Sequence, residues 1–387
     1  MIFTKNIAFK NFQRNKKNIS IKKNLNLILK DKNEILKSLG PEYKYSFSKN
    51  ILKKYKSFSI MRIIGMGGSI LGTKAIYSFL KHKIKKKIDF VDNLLPRRDP
   101  STTEKTLNLV ISKSGSTLET ISNVNILLKR NQKKIFIVGK NQSYLRMLGA
   151  KLKADIIDHN NFIGGRYSVL SEVGMLPVSL IGLKEKKFKQ LNNLIRNKSF
   201  VDSLIRNVEN IIFFLKVRKF NSIIINYDKN SEDFFLWYQQ LVAESLGKKQ
   251  KGIFPIVSTM PKDNHSLMQL YLDGPKNSFF TLFDARNKKS NLIKGSYLLR
   301  SHNYLKNKSL HKILLSQKNA TEKVFLNKKI PFRSFEILNK SEETLGELFS
   351  FCILETILLA KALKVNPYDQ PSVELIKRST KRILKND

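Results

Sequence analysis

LNLVISKSGSTLETISNVNILLKR, residues 107–130, carries the decision about the fold. Residues 107–111, LNLVI, are a β-rich run interrupted only by Asn108, the pattern of a strand buried on both faces of a parallel sheet. The run stops at SKSGST, residues 112–117, where small hydroxyl residues and Gly115 leave room for a tight turn. Beyond the turn the pattern is helical to about residue 130. A strand that passes directly into a helix is half of a parallel crossover unit, and the same grammar recurs on either side.

Upstream, residues 60–64 form a β-rich run that meets the turn GMGGS at 65–69, with a helix over 71–80 and a short strand at 87–91. Downstream, strands are expected at 134–138 and 154–158 around a helix at 143–152. A second set follows: helices near 171–182 and 199–217, a strand at 222–227, a helix at 231–246, and strands at 279–283 and 332–337. A helix at 342–363 ends before Asn366-Pro367, and a last one starts near Pro371. The expected architecture is α/β, with two domains of mostly parallel sheet covered by helices on both faces. The domains fall at 56–198 and 199–387, after an N-terminal arm of short helices over 1–55, with helices closing the C-terminus. Ligands of such sheets bind at the carboxyl ends of the strands.

At 387 residues and 41% hydrophobic content, the chain can bury more than one core. Its net charge of +42 raises the prospect of a nucleic-acid or membrane-surface binder. The lysines, however, are spread along the chain rather than gathered into a stripe. Lys, Asn, Ile and Phe, all with AT-rich codons, are abundant together, so the excess reads as compositional bias. No specific nucleic-acid partner is expected, although a positive field attracts anionic metabolites. The single cysteine, Cys352, lies in an apolar run and reads as core; it permits no intrachain disulfide and fits a reducing compartment. No apolar run reaches the ~18 residues of a membrane span, and no secretory signal core is visible. The expectation is a cytoplasmic protein with an exposed, basic N-terminal arm.

SKSGST at a helix N-terminus is an arrangement that suits an oxyanion, because free N–H groups and a partial positive charge meet there. Ser112, Ser114, Ser116 and Thr117 add hydroxyls, Gly115 allows close approach, and Lys113 adds charge. Ser116 and Glu119 also fit a capping box, so Glu119 reads as structural. GMGGS is neither a dinucleotide fingerprint nor a P-loop. Beside SKSGST it can let backbone at Gly68 approach a ligand, with Ser69 as a donor, or it is simply a tight turn. In NFIGGRYSVL, 161–170, Gly164 and Gly165 constrain the turn from which Arg166 projects, a permanent cation able to stabilise an oxyanion.

The second half supplies proton-transfer groups. In WYQQLVAESLGKK, Glu244 follows Trp237 by seven residues and Gln240 by four, so the three share one side of a helix. A carboxylate at the flank of an apolar face is a usable base. His265, in PKDNHSLMQL, follows after two proline breaks, with Asp263 or Asn264 placed to cap a short helix. Gln370 sits at the mouth of the last helix, and Lys377 lies about one and a half turns into it. Among so many lysines, residue type alone gives Lys377 no distinction.

Taken in order, these segments resemble the phosphoglucose isomerase family. GMGGSILG resembles its G-I-G-G-S-x-L-G, and SKSGSTLET its S-K-[ST]-x-x-T-x-E-T phosphate loop. GGRYS resembles a hallmark of the family. WYQQLVAESLGK resembles Q-x-x-x-E-S-x-G-K, DNHSLMQ resembles D-L-H-S-M-G-Q, and DQPSVELIK resembles Q-P-[GS]-V-E-x-x-K. The likeness runs from about residue 60 to 377. It implies two three-layer αβα sandwiches of the sugar-isomerase fold. It also implies reversible aldose–ketose isomerisation of glucose 6-phosphate and fructose 6-phosphate, a step of glycolysis and gluconeogenesis. Glu244 would move the proton between C1 and C2, and Arg166 would stabilise the cis-enediolate. His265 and Lys377 would open and close the ring. Ser69, Ser112, Ser114 and Thr117, with the backbone near Lys113, would hold the phosphate. Gln240 and Gln370 would contact the sugar or position the catalytic groups, and Gly68 and Gly165 belong to the loops around it. The resemblance implies no metal, no organic cofactor, and a homodimer in which His265 crosses from the neighbouring subunit. Departures from the pattern are Asn264, Leu267 and Met268, where the family has Leu, Met and Gly. A catalytically silent phosphosugar-binding regulator is the alternative; it shares SKSGST but leaves Glu244, His265 and Lys377 unexplained together.

Overall fold

The computed structural model describes residues 3–13, 19–31, 33–95, 106–286 and 289–386. Its strands are β1 (Ile7–Lys10), β2 (Ile60–Ile64), β3 (Lys87–Val91), β4 (Thr106–Ser112), β5 (Lys133–Gly139), β6 (Asp155–His159), β7 (Asn221–Asn226), β8 (Phe254–Thr259), β9 (Ser278–Ala285) and β10 (Phe332–Ile337). They form two five-stranded sheets, ordered β3-β2-β4-β5-β6 and β8-β7-β9-β10-β1. All pairs are parallel except β1 with β10. The α/β architecture with mostly parallel sheets is thus as the sequence pattern indicates.

Period-two alternation explains the layers. In the first sheet Ile63, Leu109, Ile111, Ile135 and Ile137 enter one large core, while Ile64, Val110, Phe136 and Val138 enter a smaller one on the opposite face. In the second sheet Ile224, Phe279, Phe283 and Phe335 join that same large core, while Ile223, Ile225, Phe280 and Leu282 face outward under helices. Each sheet is therefore sandwiched, and the inner faces of both feed one continuous core. The helix Glu342–Leu363 is buried on all sides from Thr344 to Ala360, as expected of a helix that is apolar over most of its surface. Cys352 lies within it, buried, and burial pushes its thiol up.

The N-terminal residues are not an exposed arm. Phe3, Ile7, Phe9 and Phe12 are buried, and β1 adds an antiparallel edge to the second sheet. Thr4 Oγ1 and Asn6 Nδ2 donate to the Glu347 carboxylate, at 2.7 and 3.1 Å. The lysines had masked a short aromatic strand whose partner lies more than 320 residues away.

The strand order sets where ligands can bind. In the first sheet the chain goes from β2 outward to β3 and then back past β2 to β4. That reversal opens a crevice at the carboxyl ends of β2 and β4. The loops leaving those ends are residues 65–69 and 113–117. Among the described residues no helix is long and apolar enough to cross a membrane.

Candidate active site

A cavity of about 680 Å³ opens at this crevice. Its wall includes Gly68, Ser69, Lys113, Ser114, Thr117, Gly165, Arg166, Gln240, Glu244, Gln370 and Lys377. Eleven of the thirteen residues singled out from the sequence therefore meet in one cleft. Ser112 and His265 are the two that do not line it.

The loop after β4 is organised by its own hydroxyls. Ser112 is buried; its Oγ lies 3.0 Å from Thr117 Oγ1 and accepts the Gly115 N–H at 3.2 Å. It braces the turn from below instead of facing the cavity. Gly115 has φ +61°, and a Cβ there would lie 2.0 Å from Ser143 Oγ. The expected capping box does not form: the helix is Leu118–Leu127, Thr117 occupies its N-cap, and Glu119 lines the cavity. Burial and the neighbouring Arg166 charge both hold the Lys113 ammonium below its ordinary pKa.

The two glycine loops close on each other. A Cβ on Gly68 would lie 2.1 Å from the Gly165 carbonyl carbon. Neither glycine has positive φ, so at Gly68 close approach rather than backbone freedom calls for glycine, while a Cβ on Gly165 would come no nearer than 3.7 Å to Gly68. The contact sets the start of the 3-10 turn Gly165–Leu170, on which Arg166 is only 2% exposed.

Arg166 organises the rest. Its Nε donates to Ser245 Oγ at 2.9 Å, and Nη1 donates to Glu244 Oε2 at 3.1 Å and Gln370 Oε1 at 2.5 Å. Nη2 donates to the carbonyls of Pro367 at 2.5 Å and Asp369 at 3.0 Å. The Trp237 indole donates to the Arg166 carbonyl at 3.1 Å, fixing the backbone as well. Glu244 sits two residues before the end of the helix Glu232–Leu246, with its side chain 27% exposed. Its Oε1 accepts from Gln240 Nε2 at 2.9 Å, one turn earlier, and Gln240 Oε1 is buried with no partner among the described residues. Burial pushes the Tyr167 hydroxyl up to about 12, with Arg166 opposing.

The chain segment 366–370 crosses the site as a strap. Besides Arg166, Lys248 holds it, through the Asn366 carbonyl and Asp369 Oδ1, the latter at 2.8 Å. Beyond the strap the helix Val373–Asn386 has no buried residue. Lys377 bonds Glu374 Oε1 at 2.6 Å, and both line the cavity. A neighbouring cleft of about 790 Å³, on the side of Tyr368, is lined by Asp31, Tyr43 and Glu172 and by none of the predicted residues.

His265 lies elsewhere. It follows the 3-10 turn Lys262–Asn264 beyond β8 and is exposed to solvent. Asp263 does not cap a helix there. It ties the loop to β8 by accepting from the Thr259 N–H at 2.7 Å and Ser258 Oγ at 3.0 Å.

Sequence reasoning missed Glu119, Asn141, Asn161 and Glu374 in the wall, and Ser245, Lys248 and Trp237 behind it. All but Asn141 stand inside segments quoted above, where Glu119 reads as a cap and the others carry no distinguishing signal of their own.

Two parallel sandwiches, with an anion-binding turn at one switch point and a carboxylate–guanidinium pair across the same cleft, define a phosphosugar-handling α/β protein. The profile of the phosphoglucose isomerase family matches residues 13–329. Over 353 residues the chain is 31% identical to the glucose-6-phosphate isomerase of Methanocaldococcus jannaschii, covering 86% of this chain and 87% of that protein. It is 32% identical over 374 residues to the glucose-6-phosphate isomerase of Mycoplasmopsis pulmonis, covering 87% of this chain and 84% of that one. In three dimensions it shares its fold with a hypothetical protein of Thermus thermophilus, with a TM-score of 0.82, 22% identity and 95% of each chain covered. The chain belongs to the phosphoglucose isomerase family.

Proposed function

We propose that this protein interconverts glucose 6-phosphate and fructose 6-phosphate by proton transfer through a cis-enediolate. One observation carries the reading: Glu244 and Arg166 share a cavity with the 113–117 loop. A hexose anchored there by its phosphate can present its first two carbons to the carboxylate. Glu244 takes the proton from C2 of the aldose and returns it to C1. The charge that develops on the oxygens meets the Arg166 guanidinium. Lys113, Ser114, Thr117 and Ser69 hold the phosphate, with Ser112 supporting the turn. Gln240 Oε1, without a partner among the described residues, is available to a sugar hydroxyl. Gln370 steadies Arg166, and Lys377 serves ring opening. Phosphate binding remote from the reacting carbons orients them.

The wider reading is a homodimer with domains near 56–198 and 199–387, in which His265 of one subunit completes the other's site. Its support is that His265 is exposed and away from its own cavity, beside an edge strand that exposes Phe254 and Ile256.

A coupled assay for fructose 6-phosphate tests the reaction. Glu244→Gln should lower turnover by about 10²–10⁴-fold, the usual contribution of a placed base, and leave phosphosugar binding intact. Near-normal turnover in that variant removes Glu244 from the role. Binding without turnover in the unaltered protein would favour a silent regulator instead.

A further inference from the structure

Arg166 has no spare donor. A guanidinium carries five N–H groups, and five hydrogen bonds leave Arg166. Three of them, from Nε and Nη2, end on buried Ser245 Oγ and on two backbone carbonyls. The other two, from Nη1, end on Glu244 and Gln370, side chains of the cavity wall. Only the Nη1 edge can exchange a partner for a ligand oxygen without giving up the bonds to Ser245 and to the strap backbone.

A directed chain sets which edge that is. Tyr167 Oη donates to the Pro367 carbonyl at 3.1 Å. A phenol has one proton, so the 2.8 Å contact between Tyr167 Oη and Ser245 Oγ runs from serine to tyrosine. Ser245 therefore donates to Tyr167 and accepts from Arg166 Nε. The Pro367 carbonyl receives both Tyr167 and Arg166 Nη2, which fills its two lone pairs. Ser245, Tyr167 and the guanidinium form one buried unit, and it holds the more exposed strap through the Pro367 and Asp369 carbonyls. Ser245 is fully buried, as is Tyr167.

We propose that Ser245 and Tyr167 are positioning residues: their hydroxyls fix the plane of Arg166 and seat the 366–370 strap, so that Nη1 is the edge offered to the reacting oxygens. Neither hydroxyl touches the cavity; both act through Arg166. The inference rests on the proposed isomerisation for its kinetic side, while its structural side stands without it. A misplacement of about 1 Å can cost on the order of 10²-fold in rate. Losing either hydroxyl should therefore depress turnover more than binding.

The test compares Ser245→Ala, Tyr167→Phe and the double variant in the full chain. Ser245→Thr, which keeps the hydroxyl, serves as the rescue. Each single variant should lower kcat about 10–100-fold, with KM for fructose 6-phosphate changed less than about threefold. The double variant should be little worse than the poorer single one, because both break the same unit. Independent of turnover, amide hydrogen exchange of residues 366–370 should accelerate in both single variants while the sheets stay protected. Unchanged strap exchange overturns the inference, and so does an unchanged kcat where the parent protein is active. If the parent does not isomerise the sugar, the reaction reading fails, while the exchange measurement still decides the role of Ser245 and Tyr167.

Discussion

Gly68 and Gly165 stand on different loops that touch, and the contact requires the glycine at 68. The 65–69 turn leaves β2, the 164–170 turn follows β6, and their backbones touch without side chains between them. A methyl on Gly68 would have to occupy space 2.1 Å from one backbone atom and 2.4 Å from the Arg166 nitrogen. No flexible group is available to yield. Gly68→Ala should thus separate the two loops and tilt the Arg166 turn, at a cost of about 1–3 kcal/mol, as for other overpacked sites. The expected result is a lowered Tm together with a larger loss of kcat than of substrate affinity. A variant with the parent's Tm and kcat would show that the loops part freely. Ser112 and Glu119 show the limit of reading residues by type. Both belong to the phosphate-loop motif, but the hydroxyl is turned under the loop and the carboxylate faces the cavity. Spacing gives the loop; only its three-dimensional turn gives the direction of each side chain.

Elements with strong periodicity were legible, and those governed by context were not. The strand Ile60–Ile64 and the helix Glu342–Leu363 have the bounds the pattern indicates. β8 was hidden because Pro255 interrupts it; the proline is tolerated because β8 is an edge strand. The helix Leu310–Asn327 was hidden because its only buried residues are Lys318 and Phe325, so no apolar stripe announces it. Lys189 shows how such context works between elements. Its buried ammonium donates to the Ser38 carbonyl of the helix Glu34–Leu39 and to the Leu170 carbonyl of the Arg166 turn, both at 2.5 Å. The rings of Tyr43 and Tyr45 lie 5.1 and 4.9 Å from it. Burial lowers its pKa from 10.5 to about 7, against the opposing charges of Glu172 and Glu185. Between those two values the unfolded chain holds a proton that the folded chain has lost, so stability rises with pH across the interval. Below about pH 7 both states are protonated, and the gain is absent. Lys189→Met should remove this slope. The Tm difference between the parent and the variant is then expected to grow in the parent's favour from pH 7 to 9, by on the order of 2 kcal/mol in stability. A difference constant over that range would mean that Lys189 titrates normally.

The whole molecule repeats one design with a different last strand. The orders β3-β2-β4-β5 and β8-β7-β9-β10 are the same path, completed in one sheet by β6 and in the other by β1 from the far end of the chain. Yet the two switch points are used unequally. The first carries the anion loop and cavity, whereas beyond β8 in the second the notable group is His265, exposed and away from that cavity. Among the described residues, a single chain thus presents a site without an imidazole in its wall, and an imidazole away from that site. Two-fold symmetry resolves both at once if the edge carrying His265 faces the other copy's cleft, because an isologous interface supplies the contact twice. Mixing two defective variants reads this directly. Glu244→Gln and His265→Ala should each be nearly inactive alone. After subunit exchange at equal amounts, half of the dimers pair one of each, and each mixed dimer holds one site with both groups intact. Activity should recover to about a quarter of the parent's. If His265 served the cavity of its own chain, every site in the mixture would lack one group and nothing would return.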